Sequence, residues 1–208
     1  MAISTYAELQ TAAMSFMGRE GDTALAAVVD EAIAMAEAKF NRTLRVSQME
    51  DTESVTLTDG VGTLPSDFLS ARRVVDTYGS SDAVLEYATP EWCAQTYPTS
   101  PAGYAAHYTI IGGSLYVFPL SSGPITLNYY AKVPALSASN TTNWLLTAHP
   151  DLYLQQTLVE LNAFAKQPDA AALWSERAVA TMQEVMALDK EKRYARSVAR
   201  LKGGRLWP

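Results

Sequence analysis

The stretch HYTIIGGSLYVFPLSSGPITLNYYAKV, His107 to Val133, reads as three β-strands in succession. His107 to Ile111 and Ser114 to Phe118 flank Gly112-Gly113, the pair that supplies the positive φ angles a two-residue hairpin turn requires. Gly112 and Gly113 are therefore assigned a structural role at the turn. In the third strand Ile125, Leu127, Tyr129, Ala131 and Val133 share one face, while Thr126, Asn128, Tyr130 and Lys132 share the other. Ser121-Ser122-Gly123-Pro124 precedes it as a turn, so this strand is predicted to pair antiparallel with its predecessor.

Period-two patterning and turn residues extend upstream to Thr52. Val55 and Leu57 alternate with Ser54, Thr56 and Thr58 before Asp59, Gly60 and Gly62; Arg73 to Tyr78 and Val84 to Tyr87 are further strands. Thr89-Pro90-Glu91 caps a brief helix to Tyr97, with proline at the first helical position. On either side of this β-rich segment, 52–133, the period becomes helical. Thr5 and Glu8 have capping-box spacing and start a helix over 5–17. Asp22 caps a second over 22–41, in which Leu25, Val28, Val29, Ala32, Ile33, Ala36 and Phe40 share a face. Pro150-Asp151 opens a third over 150–166, along which Leu154, Leu158, Leu161 and Ala165 align. Gln167-Pro168-Asp169 breaks it. A last helix, 169–194, sets Trp174, Ala178, Thr181, Met182, Val185 and Met186 on one side and is about 39 Å long at about 1.5 Å per residue. The expected fold is α+β: a helical bundle of the N- and C-terminal helices with an inserted small antiparallel β-sheet, one domain over 1–194, and an extended tail over 195–208.

With 48% apolar and 18% charged residues the chain has enough material for a proper core and is neither disordered nor fibrous. Cys93 has no second cysteine to pair with, which leaves stability to packing and suits a reducing cytoplasm. The start, MAISTYAELQ, lacks the basic and apolar regions of a secretion signal, and no run of about 18 apolar residues predicts a membrane span. The charge is unevenly distributed. Residues 1–189 hold nine Lys/Arg against 21 Asp/Glu, a formal −12, whereas residues 190–208 carry +6.

No phosphate loop, dinucleotide fingerprint, zinc-protease helix, paired C-x-x-C or nucleophile elbow occurs. His107, His149 and Cys93 fall in three different contexts without a local metal-ligand spacing, and Cys93 reads as a buried structural thiol. No cofactor or metal is expected. Asp67, Glu86 and Glu91 are the carboxylates from which an acid/base pair would have to come, and solvated surface positions are their default.

The basic end is the segment with the most functional content. Arg196, Arg200, Lys202, Arg205, Leu206 and Trp207 combine positive charge with an apolar tip, and Arg and Trp are the residue types enriched where few side chains carry binding energy. A purely solvating extension gains nothing from Leu206 and Trp207. The segment is thus expected to dock on another molecule.

A set of short motifs, in order along the chain, carries a family resemblance. Leu64-Pro65-Ser66-Asp67-Phe68-Leu69 is followed by Arg72-Arg73-Val74, Pro101-Ala102-Gly103-Tyr104 and the hairpin Ile110 to Pro119. Leu127-Asn128-Tyr129-Tyr130, Pro134-Ala135-Leu136-Ser137, Asn143-Trp144-Leu145-Leu146 and Pro150-Asp151-Leu152-Tyr153 continue it. Across residues 20 to 190 the chain resembles the head-to-tail connector (adaptor) proteins of tailed phages. The resemblance implies a non-enzymatic virion subunit, made in the host cytoplasm and placed at the head–tail junction. It implies a homo-oligomeric ring, usually a dodecamer, docked on the portal protein and joined below to a tail or nozzle protein. DNA would pass through its channel without sequence-specific binding, and no membrane is involved. The resemblance also implies that the C-terminal extension reaches the portal, where Arg196, Arg200, Lys202, Arg205, Leu206 and Trp207 would lie. Residues 195–208 span at most about 46 Å at about 3.3 Å per residue. The alternatives from other classes are a phage-encoded cell-wall hydrolase and a DNA-binding accessory protein.

Overall fold

The computed structural model describes residues 3–77 and 82–194. In chain order these form α1 (Tyr6–Phe16), α2 (Thr23–Ala26), α3 (Val29–Thr43), β1 (Glu50–Leu57), β2 (Val61–Thr63), β3 (Phe68–Asp76) and β4 (Ala83–Tyr87). Then follow α4 (Pro90–Thr96), β5 (His107–Ile111), β6 (Ser114–Phe118), β7 (Gly123–Ala131), α5 (Trp144–Ala148), α6 (Pro150–Phe164) and α7 (Pro168–Tyr194). Two compact units result: Gln48–Lys132 holds every strand and α4, and the segments before and after it hold the other helices.

The strand-bearing unit corrects the expected fold class. It is not a small antiparallel sheet set into a helical bundle but a seven-stranded, mixed, nearly closed barrel in the order β1-β7-β3-β4-β5-β6-β2. Its end strands meet through the Thr58–Val61 bridge. They come so close that a Cβ on Gly62 would lie 2.6 Å from Val55 Cγ1. Such closure hides the open edges that make a sheet prone to aggregate. The β4–β5 pair is parallel, with Glu86 opposite His107, and α4 lies in the connection between these strands.

The barrel has a core of its own. Val55, Leu57, Val74, Leu85, Tyr108, Leu115, Val117, Ile125, Leu127 and Tyr129 form one buried cluster. Each fully buried Leu or Val contributes about 2 kcal/mol of transfer free energy, so the cluster is a main source of this unit's stability. The sequence shows the inward residues of β5, β6 and β7 as alternation, but it does not show that β1 and β3 supply the matching wall.

Pairing of β7 is a second correction. Rather than forming a hairpin with β6, β7 lies between β1 and β3, antiparallel to both. The other edge of β6 is taken by β2, through Val61 opposite Tyr116 and Thr63 opposite Ser114. The Ser121-Ser122 link therefore crosses the β1–β2 corner, where Gly60 N–H donates to Ser121 O at 2.9 Å and Asp59 N–H to Ser122 Oγ at 3.2 Å. The hairpin of β5 and β6 turns on Gly112 and Gly113 at φ 58° and 83°. Valine at both positions places β-branched side chains in the left-handed region, at about 1–2 kcal/mol each. The expected outcome is a lowered melting temperature and a lower soluble yield; unchanged melting would show that the turn tolerates a side chain.

In the helical unit α1 starts at the capping box: Glu8 N–H donates to Thr5 Oγ1 and Thr5 N–H to Glu8 Oε2. The segment expected as one helix over 22–41 comes as two. Asp22 caps α2 through Ala24 and Leu25, but the β-branched pair Val28-Val29 follows, and Val28 sits at φ −115° and ψ 3° before α3 begins. Gln167 N–H donates to Asn162 O, and Lys166 at φ 57° ends α6. Ile33, Ala36 and Phe40 of α3, Leu152, Tyr153, Leu158 and Leu161 of α6, and Ala178 and Met182 of α7 are buried. Phe40 meets Tyr153 edge to face at 5.0 Å.

Within this unit a buried carboxylate fixes the segment after Lys132. Glu37 Oε1 accepts from Leu136 N–H at 2.8 Å and from the Tyr153 hydroxyl at 3.1 Å. Asn143 Nδ2 donates to Tyr153 Oη and to Pro134 O, both at 2.7 Å, and Asn143 Oδ1 caps α5 by accepting from Leu146 N–H. Burial pushes the Glu37 carboxyl above its ordinary value near 4.5, against the two hydrogen bonds that favour the anion. A carboxyl whose folded pKa is raised favours the fold most below its unfolded pKa, and that support falls as pH rises toward the folded value. Glu37→Gln keeps an oxygen for both donors and removes the charge. The melting-temperature difference, variant minus wild type, should therefore grow as pH rises from about 4.5 towards neutral. A difference independent of pH would show that Glu37 does not titrate in this window. Glu37→Ala leaves both donors without their acceptor and should cost about 2–4 kcal/mol.

Candidate functional site

The outer face of the β5–β6 hairpin brings together exposed aromatic, carboxylate and imidazole side chains and a buried hydroxyl. Strand alternation turns Tyr108, Leu115 and Val117 inward and leaves His107, Thr109, Ile111, Tyr116 and Phe118 outward. Helix α4 lies on that outward face. It forms there because Thr89 Oγ1 accepts from Trp92 N–H and Pro90 occupies the first turn. Tyr97, its C-cap, stacks on Phe118 at 5.6 Å and its hydroxyl is hydrogen-bonded to His107 Nδ1 at 2.9 Å. The Trp92 ring stands 4.7 Å from the His107 ring, and the residue is 41% exposed.

Two hollows flank α4. A recess of about 340 Å³ is lined by Glu86, Tyr87, Ala88, Thr89, Trp92 and His107. An apolar cleft of about 520 Å³ includes Val61, Cys93, Tyr97, Thr109, Tyr116 and Phe118 in its lining. Cys93 is 1% exposed and burial pushes its thiol up, which makes it an inert wall rather than a nucleophile. Thr109 is equally buried, and its hydroxyl has no hydrogen-bond partner among the described residues.

The carboxylates named from sequence stand on different elements. Asp67 accepts from the Tyr129 hydroxyl at 3.1 Å and its carbonyl from Lys132 N–H, so it ties the ends of β3 and β7. Glu86 is exposed at the end of β4 and Glu91 is exposed in the first turn of α4. His149 precedes α6 in the helical unit, away in sequence and unit from Cys93 and His107. Among the described residues no group of three or more His, Cys, Asp or Glu is placed to hold a metal ion, and no helix is long and apolar enough to cross a membrane. Arg196, Arg200, Lys202, Arg205, Leu206 and Trp207 lie outside the described residues.

Sequence reading missed the α4 face as a site. The available signal was that β6 carries apolar residues on both faces, Leu115 and Val117 on one, Tyr116 and Phe118 on the other, so something had to lie over its outer side.

The chain belongs to the SU10 adaptor protein family, which matches residues 4–201. That makes it a structural adaptor of a phage particle. No curated protein matches the chain.

Proposed function

We propose that this adaptor assembles as a ring, a dodecamer in the virion, that docks on the portal protein and joins it to the tail or nozzle protein below. DNA passes through the ring. The single observation that supports this best is the extent of the family match: 4–201 takes in both units and runs past Arg196 and Arg200 into the basic segment. Residues 195–208 are the portal-docking arm in this reading, with Arg196, Arg200, Lys202 and Arg205 steering encounter and Leu206 and Trp207 as the apolar anchor. A body of −12 over 1–189 repels its own copies and suits a passage that must not hold phosphates.

Electron microscopy of the protein mixed with its portal tests the proposal. Ring density on the portal is the expected result, and bare portals at micromolar protein overturn it. Without portal the subunit should stay a monomer or weak oligomer at low salt, by light scattering. A stable closed ring under those conditions would contradict the part assigned to charge repulsion.

A further inference from the structure

We propose that the outer face of the barrel unit around α4 is a docking site for a peptide segment of a partner protein in which a cationic residue adjoins an aromatic one. The reading as an adaptor enters only in making that partner a protein of the particle; the two hollows and their chemistry stand without it. The first hollow suits a guanidinium or ammonium group. Glu86 supplies a carboxylate there, and the half-exposed Trp92 supplies a π face whose negative quadrupole attracts a cation. By strand alternation Glu86 and His107, which are register partners, share the outer side with Trp92, whereas the Tyr87 ring turns to Tyr108. Charge on the wider surface points the same way: Gln48–Lys132 carries nine Asp/Glu against three Lys/Arg, which favours a basic segment and repels an acidic one.

The second hollow suits the aromatic neighbour. Tyr97, Tyr116, Phe118, Ile111 and Val61 make its walls apolar. Within that lining Thr109 Oγ1 is buried without a partner among the described residues, an unfavourable state that a donor on an incoming ring would relieve. An indole N–H is such a donor. Trp92 lines the first hollow and Tyr97, the C-cap of the same short helix, lines the second, so one extended segment laid across α4 would meet both.

The test titrates the full-length, ¹⁵N-labelled chain with N-acetyl-arginyl-tryptophan amide and, as control, N-acetyl-glutamyl-tryptophan amide. The arginyl peptide should shift the resonances of Glu86, Trp92 and Thr109 and bind about 5- to 10-fold more tightly than the glutamyl peptide. Glu86→Gln and Trp92→Ala should each weaken it about 3- to 10-fold. Thr109→Val should weaken it while leaving melting unchanged or raised, because the hydroxyl has no bond to lose among the described residues. Equal binding of both peptides, shifts confined to other residues, or no effect of Thr109→Val and Glu86→Gln overturns the proposal, even if Trp92→Ala does not fold. Decoration of portals is read separately, so failure of the ring assignment and failure of this site give different results.

Discussion

Deleting residues 195–208 should abolish portal binding, by at least about 100-fold in affinity, and leave the melting temperature of the protein nearly unchanged. Four cationic residues and no acidic one lie in this segment, which closes with Leu206-Trp207-Pro208 after the Gly203-Gly204 pair. In the proposed reading those features would serve binding in separate ways. Cationic side chains accelerate encounter with an acidic surface, while an anchored Trp207 slows release. Once one arm of a ring is seated its neighbours bind at high effective concentration, so the loss on deletion exceeds what one arm would contribute alone. Trp207→Ala should give an intermediate loss. Sedimentation or microscopy of portal mixed with each variant measures this. Decoration at the wild-type level by the truncated chain would exclude residues 195–208 as the docking arm, and a large fall in melting temperature would give them a part in folding instead.

Local signals in the sequence were strong where the physics is local. Thr5 and Glu8, Asp22, Thr89-Pro90 and Gly112-Gly113 act through hydrogen bonds and dihedral angles within a few residues, and each stands where its cap or turn requires. What was not legible is what depends on pairing at long range. Barrel closure rests on β2 pairing with β6 and on β7 choosing β1 and β3, partners separated from them by tens of residues that leave no periodic mark. The same holds for Glu37: on a helical wheel it is one more charged residue, and only the fold brings Leu136 and Tyr153 to it. In the candidate site, Trp92, His107 and Thr109 were separately visible as residues of a short helix and a strand. Their convergence follows from α4 crossing back over the hairpin, which the connection length permits but does not dictate.

Gly60→Val should be the most destabilising single substitution at a glycine of the barrel, at about 3–5 kcal/mol, because three independent constraints meet there. Gly60 has φ +76°, where an L-residue costs about 1–2 kcal/mol before any contact is counted. Its N–H donates to Ser121 O at 2.9 Å and its carbonyl accepts from Val117 N–H at 2.8 Å, so the peptide has no freedom to rotate away. A Cβ would lie 2.5 Å from Leu120 Cδ2 and 3.0 Å from Val117 O; the leucine tip can move, but the carbonyl belongs to β6. Relief therefore requires the β1–β2 corner to lift from the strand it closes against. Gly113→Ala is the matched control, with φ +83° and nothing within 4 Å of the added carbon, and should cost only the backbone's about 1–2 kcal/mol. Urea unfolding of Gly60→Ala, Gly60→Val and Gly113→Ala separates the two contributions, with both Gly60 variants expected to lose more than the control. Equal midpoints for Gly60→Ala and Gly113→Ala would mean that the corner yields without cost, and that closure at Thr58 and Val61 adds little to the stability of the barrel.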